Sequence, residues 1–125
     1  MAVSDSFQQH IADIFAPIGR IHFLNMFGGA AVYAEEVMFG LIANETFYIK
    51  TDDELRARLR DKGSVQFVWN DPSSDDTIRL SYMSLPDSAI DDAAEAVKWG
   101  RKALQVAAEA RIRKVKSPRR IKLMR

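Results

Sequence analysis

Apolar residues recur with a helical period at the start of the chain and with a strand period directly after it. Phe7, Ile11, Ile14, Phe15 and Ile18 fall at i, i+4, i+7, i+8 and i+11, one face of a helical repeat, and predict a first helix. Ser4 or Ser6 supplies its cap, and Ser6 with Gln9 has capping-box spacing. Pro17 and Gly19 end it, because proline lacks the amide that a continuing helix needs. Four short segments rich in β-branched and aromatic residues follow, at 21–27, 31–34, 37–43 and 46–50. Glu35-Glu36 and Asn44-Glu45 are the predicted two-residue turns. Asparagine tolerates the left-handed backbone of a tight hairpin, whereas glutamate is a poor choice there. Strict alternation over 37–43 puts Val37, Phe39, Leu41 and Ala43 on one face and Met38, Gly40 and Ile42 on the other. Both faces are apolar, so this strand is expected to be covered twice or to meet a partner on one side.

The period then returns to helical. Thr51 and Glu54 have capping-box spacing before Leu55 and Leu59, and Gly63 stops that helix. Two further strands are predicted at 65–69 and 77–83, joined by a loop that contains Pro72. Pro86 opens a short helical turn. Asp91 or Asp92 then caps a long helix with Val97, Leu104 and Ala107 on one side and Trp99, Ala103, Val106 and Ala110 near it. Ser117-Pro118 breaks that helix, and the tail beyond is expected to be disordered. The order is a helix, three or four strands, a helix, two strands and a helix, in short α-β(3)-α-β(2)-α. Runs of hairpin strands imply an antiparallel sheet with helices packed against it, an α+β fold.

Composition narrows the class. A chain of 125 residues suits one domain, here 1–113 followed by a basic tail at 114–125. A hydrophobic content of 47% and a mean hydropathy of −0.19 are those of a soluble globular protein. No apolar run is long enough to span a membrane, and no signal-peptide pattern opens the chain. The absence of cysteine excludes disulfides, thiolate metal sites and cysteine nucleophiles, and it fits a cytoplasmic protein. The net charge of +1 conceals a segregation. Seventeen acidic and ten basic residues lie in 1–110, whereas from Arg111 onward there are eight basic residues and no acid.

Candidate chemistry is sparse. His10 and His22 are the only histidines and begin no ligand pattern, so no metal is expected. Gly28-Gly29 is followed by no helix start, so it reads as a close backbone approach rather than a phosphate cradle. Asp52-Asp53-Glu54 and Asp91-Asp92 read as helix caps. Ser64, Ser81 and Ser84 have no base nearby in sequence. No catalytic residue, cofactor or enzyme activity is expected. Tyr33, Tyr48, Trp69, Tyr82 and Trp99 are core candidates, with one or two left over for an exposed cluster. The tail is the one functional candidate: Arg111, Arg113, Lys114, Lys116, Arg119, Arg120, Lys122 and Arg125 can neutralise phosphates of a nucleic acid. Six such contacts would give log affinity a slope of about −5 against log salt.

Met26-Phe27-Gly28-Gly29, Tyr33, Met38-Phe39, Leu41-Ile42, Phe47-Tyr48-Ile49-Lys50, Asp52-Asp53, Ser81-Tyr82, Pro86 and the Val97/Trp99/Ala103 helix together resemble the N-terminal domain of the TfoX/Sxy family. These are regulators of bacterial DNA-uptake competence, and the resemblance covers about residues 19–113. It implies a secretion-chaperone-like α+β fold and a non-enzymatic regulatory or protein-interaction role. The family often has glycine in the hairpin turns, where this chain has Glu36 and Glu45. Full-length competence regulators also carry a helical C-terminal domain, so the expectation is a stand-alone N-domain with a protein partner, a homodimer being one form. The alternatives are a nucleic-acid-binding protein using the basic tail, and a small ligand-binding domain or enzyme with a pocket between sheet and helix.

Overall fold

The opening helical period becomes α1, Asp5–Phe15, which buries Ile11 and Phe15. The fold is that of a computed structural model describing residues 5–26, 29–70 and 77–116, with side chains described for all of these except 26, 69, 70, 77–80 and 113–116. Because α1 starts at Asp5, Ser6 lies inside the helix and does not cap it; Ser4 is outside the described residues. Gln9 donates to Asp13 Oδ1 at 2.8 Å instead of reaching back to a cap. A 3-10 turn at Ala16–Ile18 follows, as the proline dictates.

Four strands then run as a meander: β1 Ile21–Met26, β2 Gly29–Ala34, β3 Val37–Ala43 and β4 Thr46–Lys50. The first block therefore has four strands, the upper of the two numbers expected. Both predicted turns form. Asn44 (φ 53°) and Glu45 (φ 57°) are both left-handed, as a type I′ turn requires. Glu35 is left-handed as well, with φ 54°, and its neighbours explain how glutamate is tolerated there. Its amide donates to the Arg20 carbonyl at 2.8 Å, its carboxylate accepts the Arg20 amide at 2.7 Å, and its carbonyl accepts His22 Nε2. Gly29 marks a close approach: a Cβ there would clash with the Ile42 carbonyl oxygen.

Asp52, not Thr51, caps α2 (Asp53–Asp61), its carboxylate accepting the Leu55 amide at 2.8 Å. The Thr51 hydroxyl is buried and donates to the Ser81 carbonyl. After β5 (Gln66–Asn70) and β6 (Thr77–Ser84), Pro86 precedes a short α3 (Asp87–Ile90), its carbonyl accepting the Ala89 amide at 2.9 Å. The final helix, α4, spans Ala93–Lys116, about 36 Å at 1.5 Å per residue. Asp92 caps it through the Glu95 amide at 3.1 Å. It passes Arg113 and runs to Lys116, because its i→i−4 bonding meets no breaker before Ser117-Pro118; residues 117–125 lie outside the described residues.

The six strands form one antiparallel sheet in the order β1-β2-β3-β4-β6-β5. Strict alternation fails in β3. Val32 pairs with Gly40 and Tyr33 with Met38, so Phe39 is an extra residue, a bulge. Beyond it the faces exchange. Val37, Phe39 and Ile42 join the helix-side core, while Leu41 points the other way with Met38. The core is a cluster of phenylalanine rings: Phe15 lies 5.6 Å from Phe39 and 5.2 Å from Phe47, in edge and tilted geometries. The buried stripe of α4 is Ala96, Trp99, Gly100, Ala103 and Ala107, shifted from the one predicted on Val97 and Leu104, which are half-buried. Small residues let α4 lie close. A Cβ on Gly100 would meet the Phe15 ring at 2.6 Å.

Candidate functional site

The helices pack on one face of the sheet, and the buried cluster draws its strand residues from that face. The cross-strand pairs place a second set on the opposite face: His22 and Leu24 of β1, Ala31 and Tyr33 of β2, Met38 and Leu41 of β3, Tyr48 and Lys50 of β4, and Tyr82 of β6. All three tyrosines of the chain lie there. Four phenylalanines besides Phe15 belong to the helix side, namely Phe7, Phe23, Phe39 and Phe47. Burial of the ring is common to both residues, but a tyrosine hydroxyl needs a polar partner or water.

This uncovered face is laid out in aromatic contacts. His22 stacks on Tyr33 at 5.2 Å and 14°, and Tyr48 meets Phe67 at 5.0 Å. Lys50 Nζ sits 5.3 Å from the centre of the Tyr82 ring, a cation–π contact. Burial pushes the Tyr82 phenol above its ordinary 10.0, and the Tyr33 charge adds to the shift. Leu24 is 57% exposed. Among the described residues of this face, His22 and Lys50 are the only charge carriers besides the tyrosines.

A different surface runs between α2 and α4. Arg58, Asp61, Lys62, Lys98, Trp99 and Lys102 line an open groove of about 560 Å³. It continues past Arg58 and Lys102 into a smaller hollow of about 270 Å³ with Asp52, Glu54 and Glu109 on its walls. Trp99 is its floor, only 4% exposed. The indole donates to Glu95 Oε2 at 3.1 Å, and the Ser88 hydroxyl donates to the same oxygen at 2.8 Å. Those two bonds hold the Glu95 carboxyl below its ordinary value, and Lys62 lowers it further. Arg58 is paired with Glu54 at 3.2 Å. Lys62, Lys98 and Lys102 have no ion-pair partner among the described residues.

The charge segregation is therefore sharper than a body and a tail. Residues 53–62 and 93–116 hold eleven cations against five carboxylates, while the rest of the chain up to residue 116 holds three against twelve. Of the tail candidates, Arg111 is exposed on α4 and donates to the Glu36 carbonyl at 3.2 Å, tying the helix to the β2–β3 turn. Arg113, Lys114 and Lys116 are on the same helix, without described side chains. Arg119, Arg120, Lys122 and Arg125 lie outside the described residues. The lysines of the groove were missed in sequence. Their one signal was the i,i+4 spacing of Arg58 with Lys62 and of Lys98 with Lys102.

His10 is exposed on α1, far in sequence and setting from the stacked His22. Among the described residues, no three histidine or carboxylate side chains converge to hold a metal ion. No described helix is long and apolar enough to cross a membrane. Ser84 Oγ accepts the Val65 amide at 3.0 Å, a structural bond at the sheet edge. No curated protein matches the chain. The model of the TfoX N-terminal domain matches residues 13–107, from the second half of α1 through most of α4 and across the whole sheet. The chain belongs to the TfoX N-terminal domain family.

Proposed function

We propose that this competence-regulator-like domain is a non-enzymatic regulatory module that works by protein–protein contact through the uncovered face of its sheet. The observation that carries the reading is that face itself: Leu24, Tyr33, Met38, Leu41, Tyr48, Phe67 and Tyr82 stand opposite the helices with almost no charge among them. Interface cores are enriched in tyrosine, phenylalanine and methionine and depleted in charge. A second copy is the occupant that suits it. In a two-fold contact each patch meets itself, so a strongly charged patch would repel its own copy. The sheet face is close to neutral, while the acidic loops and the basic α2/α4 layer are not. Sedimentation equilibrium of the full chain tests this. The expected result is a reversible dimer for the wild type and a monomer of unchanged circular dichroism for Tyr48→Asp. A wild type that stays monomeric at every concentration overturns it.

A second reading is nucleic-acid binding through Arg111, Arg113, Lys114, Lys116, Arg119, Arg120, Lys122 and Arg125. The observation in its favour is continuity: α4 carries the first four of these on the same rod as Lys98, Arg101 and Lys102. Contacts of this kind position a protein on the backbone without reading sequence. Anisotropy of a labelled duplex across a salt series checks it; no binding at low salt removes it.

A further inference from the structure

We infer that the basic end of the groove between α2 and α4 binds the phosphate backbone of a nucleic acid. The inference rests on the second reading above and moves part of its affinity from the tail into the folded domain. Lys98 and Lys102 stand one turn apart on α4, about 6 Å along the axis. Lys62 faces them from the end of α2, and Arg101 flanks them on the outer wall with Val97. Lys98 and Lys102 carry their charge without a carboxylate partner among the described residues, while Lys62 makes no close ion pair and acts on Glu95 only through its field. Like charges gathered in one concavity raise the local potential and favour an anion from solution.

The groove's shape selects the class of anion. Small-ligand sites are mostly apolar clefts that enclose their ligand. This one is open and lined by charged side chains over a tryptophan already committed to Glu95. Trp99 at 4% exposure offers no face for a base to stack on, so the contact is to phosphate. Asp52, Glu54 and Glu109 make the adjoining hollow acidic, whereas the lysine end has Asp61 as the one carboxylate among its lining residues, so an anion is favoured at the lysines. Eighteen residues of helix, about 27 Å, separate Lys98 from Lys116. That is about eight phosphates of one duplex strand at 3.4 Å each, so one polyanion can reach both basic regions and a mononucleotide cannot.

Two full-length, charge-matched variants test the assignment. The groove variant is Lys62→Gln/Lys98→Gln/Lys102→Gln; the tail variant is Arg119→Gln/Arg120→Gln/Lys122→Gln. Binding of a labelled duplex of random sequence is followed by anisotropy from low to moderate salt, with polyglutamate as a parallel probe and circular dichroism as a check on folding. The expected result is that the groove variant loses about 2–3 units of the log–log salt slope, as three lost phosphate contacts require. An unchanged slope in the groove variant with a reduced one in the tail variant overturns the inference and leaves the second reading standing. Loss of polyglutamate binding alone overturns it in favour of an acidic protein surface. A wild type that binds no duplex at low salt removes both.

Discussion

The two faces of the sheet are built from similarly apolar strands and end in opposite environments. On the helix side, Val32, Phe39, Ile42, Phe47 and Ile49 are sealed under α1 and α4. On the other side, Tyr33, Met38, Tyr48 and Tyr82 are half-buried and Leu24 is open to solvent. Hydrophobicity alone does not distinguish them. The hydroxyl does: each tyrosine of the chain is on the uncovered face, where its ring can pack and its oxygen can stay wet or meet a partner. The closed face instead uses phenylalanine, with alanine and glycine where α4 must approach.

The comparison breaks most readily in the core. Phe15→Ala should cost about 3–5 kcal/mol, because its ring contacts both Phe39 and Phe47 and α4 leaves it no room to be replaced. Leu24→Ser, on the uncovered face, should change the stability of the monomer by less than about 0.5 kcal/mol. Its effect should fall on self-association instead. Urea unfolding at low protein concentration measures both. A loss at Leu24 comparable to that at Phe15 would mean the uncovered face is part of the monomer's core, and the contrast between the faces would fail.

Alkaline titration sharpens the same contrast from the tyrosine side. The folded-state pKa of Tyr82 lies above its unfolded value of 10.0, so folding favours the neutral phenol. The stability this contributes is present below pH 10 and is lost as pH rises through the folded value. Tyr82→Phe should remove that step from the stability profile. A step of the same size in wild type and variant would place the titrating group elsewhere. Glu95 acts in the opposite range. Its lowered pKa contributes at neutral pH and fades in acid, so Glu95→Gln should flatten the acid limb through the Trp99 and Ser88 bonds it shares.

Much of the architecture was legible in the residues, because turns and caps are local. Asn44-Glu45, Asp92 and Pro17 declare their roles within four positions of themselves. The bulge at Phe39 was not legible. An inserted residue is decided by the register with β2, and alternation along β3 cannot reveal it. The groove was hidden for a similar reason. Arg58 and Lys98 are forty positions apart, so the basic cluster exists only after α2 and α4 have packed on the same side of the sheet. In the sequence, charge points to the tail because the tail is where it is contiguous. The uncovered face was half legible, since apolar residues on both sides of β3 predicted either a second cover or a partner.

A finer effect concerns the β2–β3 turn, which joins two neighbouring strands at one end of the sheet. Glu35 holds a left-handed backbone that costs a non-glycine residue about 1 kcal/mol. Its carboxylate recovers that cost by accepting the Arg20 amide, and the Arg111 guanidinium braces the neighbouring Glu36 carbonyl. Two substitutions separate the contributions. Glu35→Ala keeps the strain and loses the bond, so it should destabilise by about 1 kcal/mol. Glu35→Gly loses the bond and relieves the strain, so it should fall within about 0.5 kcal/mol of the wild type. Thermal unfolding of the two variants side by side reads the difference. If they melt together, the backbone at Glu35 is not the source of strain, and the side chain's bond to Arg20 accounts for the whole effect.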